Sequence, residues 1–84
     1  MAQYDYRMMG TCARTVSFEL DDEKRVHNVE FLGGCNGNLK GIGKLVEGMP
    51  AQEVIDRVAG TTCGPKRTSC PDQLACALRA ALEG

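Results

Sequence analysis

The sequence predicts an α+β domain: a three-stranded antiparallel meander followed by three helices packed on one face of the sheet. Two observations carry this. Apolar residues alternate with a period of two through the N-terminal half, the pattern of half-buried strands. In the C-terminal half they recur at helical spacing, broken by glycine and proline. The 84 residues make one domain, 1–84. A chain this short buries only about 60–65% of its unfolded surface, so its core is marginal and a staple would help it.

The elements follow in order. In "YDYRMM", Tyr4, Tyr6 and Met8 alternate with Asp5 and Arg7. In "RTVSFEL", Val16, Phe18 and Leu20 alternate with Ser17 and Glu19. "DDEK", from Asp21 to Lys24, is a polar turn. "VHNVEFL" resumes the strand with Val29 and Phe31 facing in, and its alternation slips around His27 and Asn28, as at a β-bulge. Short links between three strands predict the meander. A first helix starts at Cys35, with Leu39, Ile42, Leu45, Val46 and Met49 at helical spacing. Gly37, Gly41 and Gly43 cost that helix roughly 1 kcal/mol each relative to alanine, which implies close backbone approach to a neighbour or ligand. Pro50 suits the first turn of a second helix with Val54, Ile55 and Val58 on its apolar face and Gly60 as its stop. "TTCGPKRT" is loop. "SCPD" reads as a capping box for the last helix, with Ser69 as cap, Pro71 in the first turn and Asp72 three residues after the cap. Leu74, Leu78 and Leu82 form that helix's buried stripe.

Composition narrows the function. Net charge is −1 with acids and bases interspersed, which gives no argument for a nucleic-acid surface or a membrane patch. No apolar run approaches a spanning length, and the N-terminus "MAQYDYRMMG" lacks the apolar middle of a signal peptide, so a cytoplasmic location is expected. Disulfides are rarely structural there, so five cysteines in a domain this small lean toward metal or redox chemistry. Five is odd, which leaves at least one thiol to act alone or as a bystander.

No C-x-x-C pair is present, so topology carries the argument. In a meander, Cys12 and Cys35 lie at the same end. The first helix descends from Cys35 and the second climbs back. The loop carrying Cys63 and the helix start at Cys70 return to that end. Four thiols from four segments are thus expected to converge. Helix starts at Cys35 and Cys70 favour anionic ligands such as thiolate, the form that binds metal. Arg14, Lys40, Lys66 and Arg67 could offset the negative charge of four thiolates. Cys76 stands about 9 Å further down the last helix and about 160° from Leu74 and Leu78, a partly exposed thiol outside the cluster. Free cysteine also fills space in cores, and that plain reading stays open. A redox couple of Cys63 and Cys70 is a further reading.

Other signals fall away. His27 lies near the opposite end and is not expected to be a ligand. "GGCNGNLKGIGK" lacks the glycine and Ser/Thr that a phosphate loop requires at Asn38 and Leu45. Asp21 and Asp22 are turn residues with no acid–base partner in the sequence, and no Ser–His–Asp set exists.

"TSCPD" at Thr68–Asp72 is the signature of the TSCPD domain family. "GTC" at Gly10–Cys12, "GGCNGNLKGI" at Gly33–Ile42, "LVEGM" at Leu45–Met49 and "CG" at Cys63–Gly64 extend the resemblance over nearly the whole chain. It resembles the small stand-alone members of that family. The same domain occurs as an appendage of adenosylcobalamin-dependent ribonucleotide reductases. The resemblance implies a supporting role in ribonucleotide reduction, and nucleotide binding by that association only. One domain of this size cannot be the catalytic reductase subunit. The order of elements is also similar, more distantly, to iron–sulfur scaffolds of the IscU/SufU/NifU type, which implies an IscU-like fold. Those proteins hold a cluster or zinc with cysteines placed like Cys12, Cys35 and Cys70. They carry an aspartate where this chain has Arg14, which cannot be a ligand, so Cys63 is the expected fourth. The expectation is a metal-binding module with Cys12, Cys35, Cys63 and Cys70 as ligands and zinc favoured over an iron–sulfur cluster. The expected partner is a ribonucleotide reductase or an iron–sulfur or redox protein. The alternatives are a thiol redox accessory of ribonucleoside-diphosphate reductase, and an interaction module with buried free thiols.

Overall fold

A computed structural model describes residues 2–8, 13–33, 36–62, 64 and 68–83. Strands β1 (Ala2–Arg7), β2 (Ala13–Leu20) and β3 (Val26–Gly33) precede helices α1 (Asn36–Val46), α2 (Ala51–Val58) and α3 (Cys70–Glu83). The sheet has the order β1-β2-β3 with antiparallel neighbours, the α+β meander that the alternation predicts.

Alternation places the core as expected. Val16, Phe18 and Leu20 are buried on β2, and Tyr4 and Tyr6 of β1 pack against them from the edge. The Tyr4 and Phe18 rings stack with centroids 5.5 Å apart. Strand β1 begins at Ala2, two residues before the apolar signal, because its exposed first residues still pair with Glu19 and Leu20. The slip in β3 is a bulge. Ser17 pairs with Glu30 but Glu19 pairs with His27, and Asn28 takes the extra position with φ 54°. Val26 below the bulge and Val29 above it therefore both reach the core side, three residues apart.

The turn is built by Asp21, whose Oδ1 accepts the N–H groups of Glu23 at 2.9 Å and Arg25 at 3.0 Å. Helix α1 ends at Val46, earlier than the apolar spacing through Met49 suggests. Gly48 turns the chain with φ 78°, and residues 48–51 lie along the lower edge of β3. There Val26 donates to the Met49 carbonyl at 2.8 Å and accepts from Gly48 at 2.7 Å, and Ala51 donates to Lys24 at 2.9 Å. Leu45 shares the helical spacing but is 78% exposed, while Leu39 and Val46 are buried. Of the α1 glycines only Gly43 meets a neighbour: a Cβ there would lie 2.9 Å from the Val29 carbonyl oxygen, whereas Gly37 and Gly41 face open space. Pro50 is the cap of α2 rather than part of its first turn. Leu74, Ala75, Ala77 and Leu78 carry the buried face of α3, with Leu82 only partly covered.

Candidate functional site

The start of α3 is the most tightly specified segment near the cysteines. Ser69 is buried and acts as the cap: its hydroxyl accepts the Asp72 N–H at 3.2 Å, and its carbonyl accepts the Gln73 N–H at 2.8 Å. The same hydroxyl donates to the Thr61 carbonyl at 2.7 Å, across the loop. Asp72 does not reach back to the cap, as a full capping box would. Its Oδ1 accepts the Gly60 N–H at 2.7 Å, and its Oδ2 accepts the Thr68 hydroxyl. The Thr68 hydroxyl, then the Gly60 N–H, hold this carboxyl below its ordinary value. Thr68, Ser69 and Asp72 thus close both ends of the loop between α2 and α3. Their place in a five-residue signature has a structural reason that spacing alone did not reveal.

Cys70 is the first residue of α3, 7% exposed and part of the core cluster. Cys76 lies further along α3, half-buried, on the side that leads to exposed Arg79 and Glu83, as its angular position predicts. Cys12, Cys35 and Cys63 lie outside the described residues, and so do Lys66 and Arg67. Their described neighbours are informative. Ala13, next to Cys12 in sequence, is paired across the sheet with Gly33, two residues before Cys35. Thr61 and Ser69, bonded to each other, flank Cys63 and Cys70 in sequence. Among the described residues no group of three or more His, Cys, Asp or Glu side chains is arranged to hold a metal ion.

A second polar cluster lies at the opposite end of the sheet. His27 Nδ1 is 2.6 Å from Glu47 Oε2, and Nε2 is 2.8 Å from Asp21 Oδ2. Glu47 Oε1 accepts the N–H of Asn28 at 2.9 Å, so the bulge, the turn and the end of α1 meet at this imidazole. Hydrogen bonding to Asp21, then to Glu47, raises the His27 pKa. Asp21 is lowered first by the Arg25 N–H and then by His27. Glu47 is lowered first by the Asn28 N–H and then by His27. Both ring nitrogens are engaged by carboxylates. Sequence reasoning found the bulge but missed the cluster, because Glu47 is 20 residues away.

An apolar cleft of about 290 Å³ opens beside the start of α3, lined by Ile42, Val46, Met49, Val58 and Pro71 with Arg57 at its rim. Arg57 is paired with Glu53 at 3.0 Å, and among the described residues the cleft presents no acid–base group.

No helix among the described residues is long and apolar enough to cross a membrane. No curated protein and no solved structure matches the chain. The iron–sulfur scaffolds therefore gain no support as relatives. The model of the TSCPD domain matches residues 2–82, from the first strand to the last turn of α3 and through the Thr68–Asp72 closure, and the chain belongs to the TSCPD domain family.

Proposed function

We propose that the domain is a small metal-binding module whose ligands are Cys12, Cys35, Cys63 and Cys70. Zinc is the favoured metal and an iron–sulfur cluster the second. The observation that carries this reading is the closure of the α2–α3 loop, in which Asp72 holds Gly60 and Ser69 holds Thr61. The bonded residues stand on both sides of Cys63 in sequence, and Cys70 is the buried first residue of α3. The Ala13–Gly33 pair supports the same end of the sheet as the meeting point for the segments that bear Cys12 and Cys35. Four thiolates make a closed tetrahedral site, which suits a structural metal better than a catalytic one. A metal there would tie the sheet to the helices in a domain with a small core. The family's occurrence beside ribonucleotide reductases makes such an enzyme, or a redox protein that serves it, the proposed partner.

The second reading is a thiol redox accessory using Cys63 and Cys70. The same loop closure favours it, because bonded residues flank both thiols in sequence. Metal analysis of protein purified without chelators or a metal-leaching tag tests the first reading. About one equivalent of zinc, lost in Cys70→Ser and kept in Cys76→Ser, is expected. Protein that contains no metal and takes up neither zinc nor iron with sulfide on reconstitution would overturn it.

A further inference from the structure

The geometry points to the free edge of β1 as a self-pairing surface, on which a second copy of this chain adds its own β1 in antiparallel register around Tyr6. The two sheet edges differ. Along β3, residues 48–51 satisfy part of the outer backbone. Along β1, no described residue pairs with the outer side. Met8 N–H donates to the Arg14 carbonyl at 2.8 Å, so even-numbered residues of this strand point their backbone groups at β2. The N–H and C=O groups of Gln3, Asp5 and Arg7 therefore point outward, unpaired among the described residues. An exposed edge of this kind is a template for another strand.

The sequence selects the partner and the register. Two antiparallel copies of β1 can exchange backbone bonds only where odd residues face odd residues. Pairing centred on Asp5 sets the two Asp5 carboxylates against each other, and pairing centred on Arg7 does the same to the two arginines. Centring on Tyr4 sets Asp5 against Gln3 and leaves Arg7 without an acid. Centring on Tyr6 sets Asp5 of each copy opposite Arg7 of the other. Those two residues then exchange both backbone bonds, and two-fold symmetry repeats the pair. The side chains suit this arrangement. Asp5 and Arg7 are exposed on the outer face, and Arg7 has no ion-pair partner among the described residues. Asp5 Oδ1 accepts the Ser17 hydroxyl at 2.6 Å, which leaves Oδ2 for a cation. On the other face Tyr6 meets its counterpart. Beside Tyr4 and Tyr6 a cleft opens to which α3 contributes three small residues, Ala77, Ala80 and Ala81. The two sheets would join through residues 5–7 of each β1, independent of any metal.

Sedimentation over a wide concentration range, combined with residue-resolved hydrogen exchange, tests this. The wild-type chain should dimerise reversibly, and the Asp5 and Arg7 amides should gain protection as the dimer forms. Asp5→Arg or Arg7→Asp alone sets like charges opposite each other twice and should weaken association roughly ten-fold or more. The double variant Asp5→Arg/Arg7→Asp restores complementarity and should dimerise again. An equimolar mixture of the two single variants should form a heterodimer. A wild-type chain that stays monomeric throughout, or single variants that dimerise as well as wild type, would overturn the proposal. So would folded single variants, matched to wild type by circular dichroism, that fail to associate when mixed.

Discussion

The His27 imidazole meets the Glu47 carboxylate through Nδ1 at 2.6 Å, while its other nitrogen faces Asp21 at 2.8 Å. A neutral imidazole has one N–H and can donate to only one of them. The imidazolium donates to both. The charged ring therefore joins three segments: the Asp21 turn, the β3 bulge and the residue that follows α1.

Stability should accordingly peak in mildly acidic solution. His27 has a raised folded pKa, so its contribution is full below its ordinary 6.5 and is lost as pH rises through the folded value. Asp21, Glu47 and Asp72 are lowered. Their contributions are full above ordinary values of 3.8, 4.5 and 3.8 and are lost as pH falls through the folded ones. The window of greatest stability lies between about pH 5 and pH 6.5. Thermal melts across pH should show a falling alkaline limb in wild type that flattens in His27→Gln. An identical alkaline limb in both proteins would show that the imidazole is not linked to folding.

Two alanine substitutions on one helix should have opposite signs. Gly41→Ala meets open space and should stabilise α1 by up to about 1 kcal/mol. Gly43→Ala would press a methyl group to 2.9 Å from the Val29 carbonyl oxygen, a backbone atom that cannot swing aside. Its helix gain should be offset by displacement of α1 from β3, giving a net loss. Urea unfolding of the two variants beside wild type checks the pair.

Ser69→Ala should cost about 1 kcal/mol as a lost cap. It should also free the Thr61 carbonyl, which the hydroxyl holds at 2.7 Å. Thr should restore part of the loss, because it keeps an oxygen at the cap. Asp72→Asn keeps the shape but weakens acceptance from Gly60 and Thr68, so the Gly60 amide should exchange faster than in wild type. Unchanged exchange at Gly60 would show that the loop is closed by other contacts.

The strands were legible because one face of the sheet is buried. Val16, Phe18 and Leu20 could sit on that face only in a period of two, and the break in the period at His27 and Asn28 pointed to the bulge found there. Helix boundaries were less legible. Leu45 fits the apolar spacing of α1 yet is exposed, because it stands about 200° around the helix from Gly43, which meets β3. The helix ends before Met49 because residues 48–51 turn to pair with the chain at the start of β3, a tertiary demand with no local signature. Gly43 announced a close approach but not to which neighbour. At the candidate site, "SCPD" gave the cap at Ser69 but not the bonds from Asp72 to Gly60 and Thr68, since a carboxylate's partners across a loop depend on how the loop closes. The His27 cluster was hidden for the same reason.

Thiol reactivity separates the two functional readings. In a closed four-thiolate site, Cys12, Cys35, Cys63 and Cys70 should react slowly with an alkylating probe until metal is removed. Cys76, half-buried on α3 and apart from the loop closure, should label early in either case. In a redox couple, Cys63 or Cys70 should react fast near neutral pH without chelation and should cycle with a thioredoxin-like reductant at a measurable potential. Cys70 is 7% exposed and would react slowly as a core thiol too. Chelation resolves this. A ligand is released with its metal, so labelling of Cys70 should accelerate together with that of Cys12, Cys35 and Cys63, and the melting temperature should fall in parallel. A core thiol should show neither change. Mass mapping of alkylated peptides before and after a strong chelator, with Cys76 as internal reference, supplies the comparison. Acceleration of all four with a lower melt is the expected result. Rapid labelling of Cys70 in metal-replete protein would reject the closed site in favour of the redox pair.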